Sequence, residues 1–169
     1  IFATVLFVSS IANIFAAPFT SGNIAVYRVG TGVGAISSVA TAVFIDEYTP
    51  AGVLVQSIAM PIAFDGANRT LTASGTATSE GFISRSSTGN YLIVDGYDAI
   101  PTTATITSSN TSVIARVIGR IDVNGLYDTT TAMTEAATPG NIRGVTSTNG
   151  IDMWMATSGG GVRYIMFGG

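Results

Sequence analysis

The sequence predicts an all-β protein built of antiparallel sheets, and three observations predict it. Valine, isoleucine, threonine and aromatic residues gather into short runs, and glycine-bearing turn sequences separate those runs. No apolar stripe at the helical spacing of 3.6 residues runs through the chain. Two of the separators are Asn-Gly, at Asn124-Gly125 and Asn149-Gly150, the dipeptide that favours type I′ hairpin turns. Short strands at regular intervals belong to sandwiches, barrels or propellers.

The elements follow in order. Ile24 to Val29 reads as the first strand, followed by a flexible loop around Gly30, Gly32 and Gly34. Ala42 to Tyr48 and Val53 to Met60 form a hairpin over Pro50-Ala51-Gly52. Phe82 to Arg85 pairs with Tyr91 to Asp95 over Ser87-Thr88-Gly89-Asn90. Val113 to Ile121 pairs with Leu126 to Thr130 over Asn124-Gly125, and Ile142 to Thr146 with Met153 to Ala156 over Asn149-Gly150. Val162 to Phe167 is the last strand, after three consecutive glycines.

Two stretches read as imperfect repeats: GFISRSSTGNYLIVDGYD (81–98) and NIRGVTSTNGIDMWMATSGGGVRY (141–164). Each runs short strand, Ser/Thr-rich turn, apolar strand, then glycine and an aromatic. Their turns lie about sixty positions apart, near the longer blade periods of repeat folds. With FTSGNIAVYRVG (19–30), VFIDEYTPAGVLVQSI (43–58) and NRTLTASGTATSEGFISRSSTGNYLIVDGYDA (68–99), the chain resembles the N-terminal half of a β-propeller-like family of bacterial secreted and cell-surface proteins. That resemblance implies propeller-blade-like antiparallel sheets and carries over no catalytic residue. The chain holds about two to three blades' worth of strands, whereas a closed ring needs about four to eight. An incomplete ring with open sheet edges is therefore expected, and open edges invite pairing with another chain.

The 169 residues divide into an apolar segment, 1–17, and one domain, 18–169. IFATVLFVSSIANIFAA carries no charge and ends in small residues before Pro18, which is the pattern of a secretory signal peptide. If retained, the segment is expected to be buried, with an assembly interface as its natural cover. It is too short for a stable membrane span.

Charged residues are only 10% of the chain against about 25% in an average domain, and Thr, Ser, Gly and Ala replace them. The seven cations are all arginines, scattered, and the net charge is −3. Nucleic acid, which needs clustered cations, is not an expected partner. The absence of Cys and His removes disulfides, thiolate or imidazole metal ligands, and the Ser-His-Asp and Cys-His nucleophile systems.

The carboxylate pairs Asp46-Glu47, Asp95 with Asp98, and Asp122 with Asp128 fit a glycosidase pattern. Each is read at or beside a turn, where local hydrogen bonding explains aspartate better. Asp122, Asn124 and Asp128 form part of a calcium-loop pattern without its distal glutamate. Gly30-Thr31-Gly32-Val33-Gly34 lacks the helix that a dinucleotide site requires. Trp154, Tyr164, Tyr91, Tyr97 and Tyr127 fit sheet packing better than a sugar platform. Asn68 and Asn110 head N-glycosylation triplets, and the stretches 102–112 and 129–138 are rich enough in Thr and Ser for O-glycans.

These readings converge on a non-catalytic, cofactor-free, extracellular or cell-surface structural protein that self-associates, with a filament as one outcome. The alternative is a glycan- or protein-binding propeller module of a larger secreted protein.

Overall fold

The computed structural model of the chain describes residues 16–135 and 139–169. Its strands are β1 (Ile24–Val29), β2 (Ala40–Tyr48), β3 (Leu54–Ala59), β4 (Thr72–Ser74), β5 (Ser84–Arg85), β6 (Tyr91–Tyr97), β7 (Arg116–Asp122), β8 (Tyr127–Met133), β9 (Ile142–Ser147), β10 (Asp152–Thr157) and β11 (Gly161–Met166). The helical content among the described residues is one 3₁₀ turn, Ile106–Ser108. The fold class is the one read from the sequence: nearly all β, antiparallel, and not closed into a ring.

β2 organises the first layer. β1 pairs along one side of it, from Ile24↔Tyr48 to Val29↔Val43, and β3 pairs along the other, with Phe44 opposite Ala59. Thr72 to Ser74 extend the pairing along Ala42 to Ala40. A single position, Thr72↔Tyr97, joins this layer to β6. Apolar residues from both sides of that junction share one cluster: Val43, Ile45 and Ile58 meet Val94, Val117 and Ile121. The continuous sheet thus folds back on itself at β4 and packs face to face.

The opposite face of β6–β7–β8 carries Ile93, Tyr97, Ile118 and Met133. These pack against Ile142, Val145, Met153, Met155 and Ile165 of the separate sheet β9–β10–β11. The central layer is therefore covered on both faces. That is why Ile93-Val94 and Val117-Ile118 are apolar in succession, where a half-exposed strand would alternate with polar residues.

Leu71 shows how tightly the layers meet. It is fully buried and sits over Gly96 and Gly119. A Cβ at Gly96 would come within 2.7 Å of the Leu71 side chain, and one at Gly119 within 2.8 Å of both Leu71 and Val94. Two glycines inside paired strands thus make room for one leucine.

Several sequence expectations need correction. Asn124-Gly125 and Asn149-Gly150 are not type I′ turns, because neither asparagine has the positive φ that such turns require. At the first hairpin, Asp122 C=O accepts from Gly125 N–H, and Gly125 alone is left-handed, at φ 78°. This is a type I turn closed by a glycine bulge. The Thr49–Gly52 turn repeats the arrangement. The strand expected from Val113 starts at Arg116, because residues 110–114 form a turn in which Val113 N–H and Ile114 N–H both donate to Asn110 C=O. Phe82 and Ile83 lie before β5, and β4 was not foreseen.

Candidate functional site

Three features of this fold bear on function: its open edges, an outward aromatic face, and a buried charge cluster. β11 pairs only with β10 and is an edge. Its sequence, GVRYIM, contains no proline and one charge, and Val162 (67%), Tyr164 (53%) and Met166 (58%) are exposed. β3 pairs only with β2, contains no charge, and exposes Leu54 (51%) and Val55 (47%). Natural edges are usually blunted by lysine, proline or bulges, because their outward N–H and C=O groups template another strand. Neither of these strands carries a lysine or a proline, though β3 has a bulge at Val55, opposite the Glu47–Tyr48 step of β2.

Trp154 on β10 and Tyr164 on β11 are register partners on the face turned away from the core. Their rings lie 5.6 Å apart and tilted by 58°. The Tyr164 hydroxyl donates to Asp152 at 2.7 Å, and Asn149 donates to the other carboxylate oxygen at 2.9 Å. The tyrosine bond, with the asparagine behind it, holds the Asp152 pKa below the ordinary carboxylate value. Of the other aromatics, Tyr97 is fully buried in the core, and Tyr91 and Tyr127 are half-buried against the apolar clusters.

The buried cluster lies where β6 meets the loop before β5. Asp95 is 1% exposed, and its Oδ1 accepts from Gly81 N–H at 3.2 Å. Its Oδ2 has no hydrogen-bond partner among the described residues. Burial, with the nearby Glu80 charge adding, pushes the Asp95 carboxyl up to about 7. Glu80 accepts from Tyr97 Oη at 2.8 Å and from Ser74 N–H at 2.8 Å, and burial raises its pKa too. Tyr27 Oη donates to Asp95 C=O at 2.8 Å, and burial raises the Tyr27 pKa further.

Arg116, also fully buried, forms no ion pair among the described residues. Its guanidinium donates to Ile114 C=O, Thr107 C=O, Gly140 C=O and Ser109 Oγ, and lies 5.2 Å from the Tyr97 ring. Burial lowers its pKa. One cation thereby ties residues 106–114 to Gly140. Glu80, Tyr27 and Arg116 were not singled out from the sequence, and no local motif marks them.

The carboxylate pairs separate. Asp46 and Glu47 are neighbours inside β2, beside the Thr49–Gly52 turn, so they point to opposite faces. Asp46 binds Arg28 at 2.5 Å and Ser57 Oγ at 2.5 Å. Glu47 accepts from Thr20 N–H, Asn23 Nδ2 and Gln56 Nε2 at 2.6–2.7 Å. Burial works to raise both pKa values, and these donors more than offset it, leaving both below their ordinary values. Asp95 lies inside β6 and is buried, whereas Asp98 pairs with Arg69 at 2.9 Å and accepts from Thr70 Oγ1.

Asp122 accepts from Asn124 N–H and Leu126 N–H, and Asp128 accepts from Thr130 N–H and Oγ1. Among the described residues no three acidic groups converge on a point where a metal would sit. The Gly30–Gly34 loop leads to irregular chain and then β2, with no helix.

Asn68 Oδ1 is held by Thr129 N–H at 2.9 Å, and Asn110 Oδ1 by Ser112 N–H at 2.9 Å. Within 129–138, Thr129 and Thr131 are buried and residues 136–138 lie outside the described residues. Residues 1–15, most of the apolar segment, also lie outside them. Among the described residues no helix is long and apolar enough to cross a membrane. The chain matches no protein-family profile, no curated protein and no solved structure.

Proposed function

We propose that this chain is a non-catalytic, exported β-sheet subunit that self-associates edge to edge, with the β11 edge of one copy pairing to the β3 edge of the next. The observation that carries the reading is the pair of open, nearly uncharged edges on two different sheets of one chain. Two unlike edges pair head to tail, and a head-to-tail contact that does not close into a ring extends into a filament. Export is supported by the apolar, charge-free segment 1–17 and by the low charge content. The non-catalytic reading rests on the acidic residues, most of which are engaged by local donors or held inside the core.

The test is sedimentation and negative-stain microscopy of the full chain, alongside Tyr164→Lys and Leu54→Lys. The expected result is a filament or large oligomer that either lysine disperses. Monomers at every concentration would overturn the reading, and a dimer insensitive to Leu54→Lys would overturn the head-to-tail arrangement. The second reading, a glycan-binding module, is favoured by one cleft, lined by residues 19–25 and 89–92.

A further inference from the structure

A cleft of about 330 Å³ opens between the N-terminal turn Thr20–Asn23 and the turn that leads into β6. It lies within the size range of small-ligand sites. None of the residues lining it belongs to β3 or β11, so it is separate from the proposed assembly edges.

The walls are two tight turns. In the first, Asn23 N–H donates to Thr20 C=O, and Gly22 at φ 91° supplies the left-handed position. Glu47 fixes this turn from below, taking Thr20 N–H and Asn23 Nδ2 on one oxygen and Gln56 Nε2 on the other. In the second, Gly89 N–H donates to Ser86 C=O, and the Arg85 guanidinium folds back onto Gly89 C=O at 3.0–3.1 Å. Thr88 N–H on the same turn donates to Thr148 C=O, which anchors it to the β9–β10 turn. The walls are held in place without a ligand.

The acidic groups of the cleft are engaged by the protein itself, and its one cation, Arg85, is partly so. Glu47 takes three donors, Asp122 accepts two backbone N–H groups of its own hairpin, and Arg85 turns Nε and one Nη onto Gly89 C=O. The uncharged polar groups lining the cleft include the Ser21 hydroxyl, the Asn90 amide and the Asn23 amide, whose Nδ2 already donates once to Glu47. An amide offers a donor and an acceptor side by side, which matches adjacent hydroxyls. Phe19 and Tyr91 supply aromatic surface beside them.

We infer that this cleft binds a neutral saccharide of one or two rings, with Asn90 and Asn23 contacting hydroxyls and Glu47 acting as a positioning residue beneath them. Weak affinity is expected, near the millimolar range, because few polar groups converge on an open cleft.

Saturation-transfer difference NMR on the full chain tests this, since it observes the small molecule and tolerates an assembled protein. The probes are maltose, cellobiose, mannobiose and chitobiose, with sodium glucuronate as the charged comparison. A signal from at least one neutral disaccharide, reduced about fivefold or more by Asn90→Ala with circular dichroism unchanged, is the expected result. No signal from any of the four overturns the inference. A signal from glucuronate alone also overturns it, because the cleft would then be an anion site at Arg85. Binding unaffected by Asn90→Ala places the sugar elsewhere and overturns the assignment to this cleft.

Discussion

The buried Asp95 carboxyl sets the strongest prediction. In the folded chain it holds its proton up to about 7, against an ordinary value of 3.8. The folded state therefore binds a proton that the unfolded chain has released, and stability must fall as pH rises through that window. The distance from 3.8 to about 7, at about 1.4 kcal/mol per pH unit, corresponds to about 4 kcal/mol. That is a large share of the roughly 5–15 kcal/mol that holds an ordinary domain together. Glu80, also raised by burial, acts in the same direction.

Asp46 and Glu47 act in the opposite direction. Their folded values are depressed, so their contribution is lost as pH falls below their ordinary values of 3.8 and 4.5. Together these groups place the stability maximum in mildly acidic solution, near pH 4–5. The assay is urea unfolding at pH 4.5, 6 and 8, followed through Trp154 fluorescence. The expected result is a midpoint that drops with pH in the native sequence and drops less in Asp95→Asn, where Glu80 alone of the two raised carboxyls remains. A native midpoint that rises over that range, or a variant that keeps the native slope, would refute the reasoning.

Other consequences follow from the packing. Leu71→Ala empties the space over Gly96 and Gly119 and should cost about 3 kcal/mol, read as a lower urea midpoint. Gly119→Ala drives a methyl into Leu71 and Val94, two buried side chains that cannot move aside, and should cost about 1–3 kcal/mol by the same measurement. Arg116→Ala removes the donors on which Ile114, Thr107 and Gly140 C=O depend. It should cost about 3 kcal/mol and open residues 106–114 to limited proteolysis at a rate the native chain does not show.

The sequence made some of this legible and hid the rest for identifiable reasons. Ile24–Val29 is legible with its correct ends because a polar turn and Gly30 bound it and β-branched or aromatic residues fill most of it. The core pairs Ile93-Val94 and Val117-Ile118 were visible as apolar runs, but a run alone does not say that two different sheets cover its two faces. Asp46 and Glu47 are legible as part of the strand Ala42 to Tyr48, beside the turn over Pro50, but their partners are not. Those partners are Arg28, Ser57 and Gln56 on the strands flanking β2 and Asn23 in the turn before β1, positions that the strand's own residues do not announce. The Asn-Gly turns were located correctly and typed wrongly. The reason is specific to Asp122, whose carboxylate takes Asn124 N–H and Leu126 N–H and so favours a type I turn before the glycine. Glu80 stands in a polar stretch with no local motif, and the Tyr97 hydroxyl that it binds, seventeen residues away, is what draws it half inside.

The distribution of charge links these internal features to the outer edges. The chain carries ten acids and seven arginines, and Asp46, Glu47, Asp95 and Arg116 are all 1% exposed or less. The surface is therefore poorer in charge than the composition suggests. The charges on which a β protein usually relies to keep its edges apart are partly spent in the interior, where Asp46 and Glu47 join strands and Arg116 organises a loop. The edge strand β11 is left with Arg163 alone. Adding one lysine to β11 should therefore change assembly far more than it changes stability, since an exposed side chain such as Val162 (67%) contributes little to the fold. Val162→Lys should leave the urea midpoint within about 0.5 kcal/mol of native while shifting the sedimentation profile toward monomer. A variant that unfolds more readily but assembles as before would show that Val162 serves the sheet and not the contact between chains.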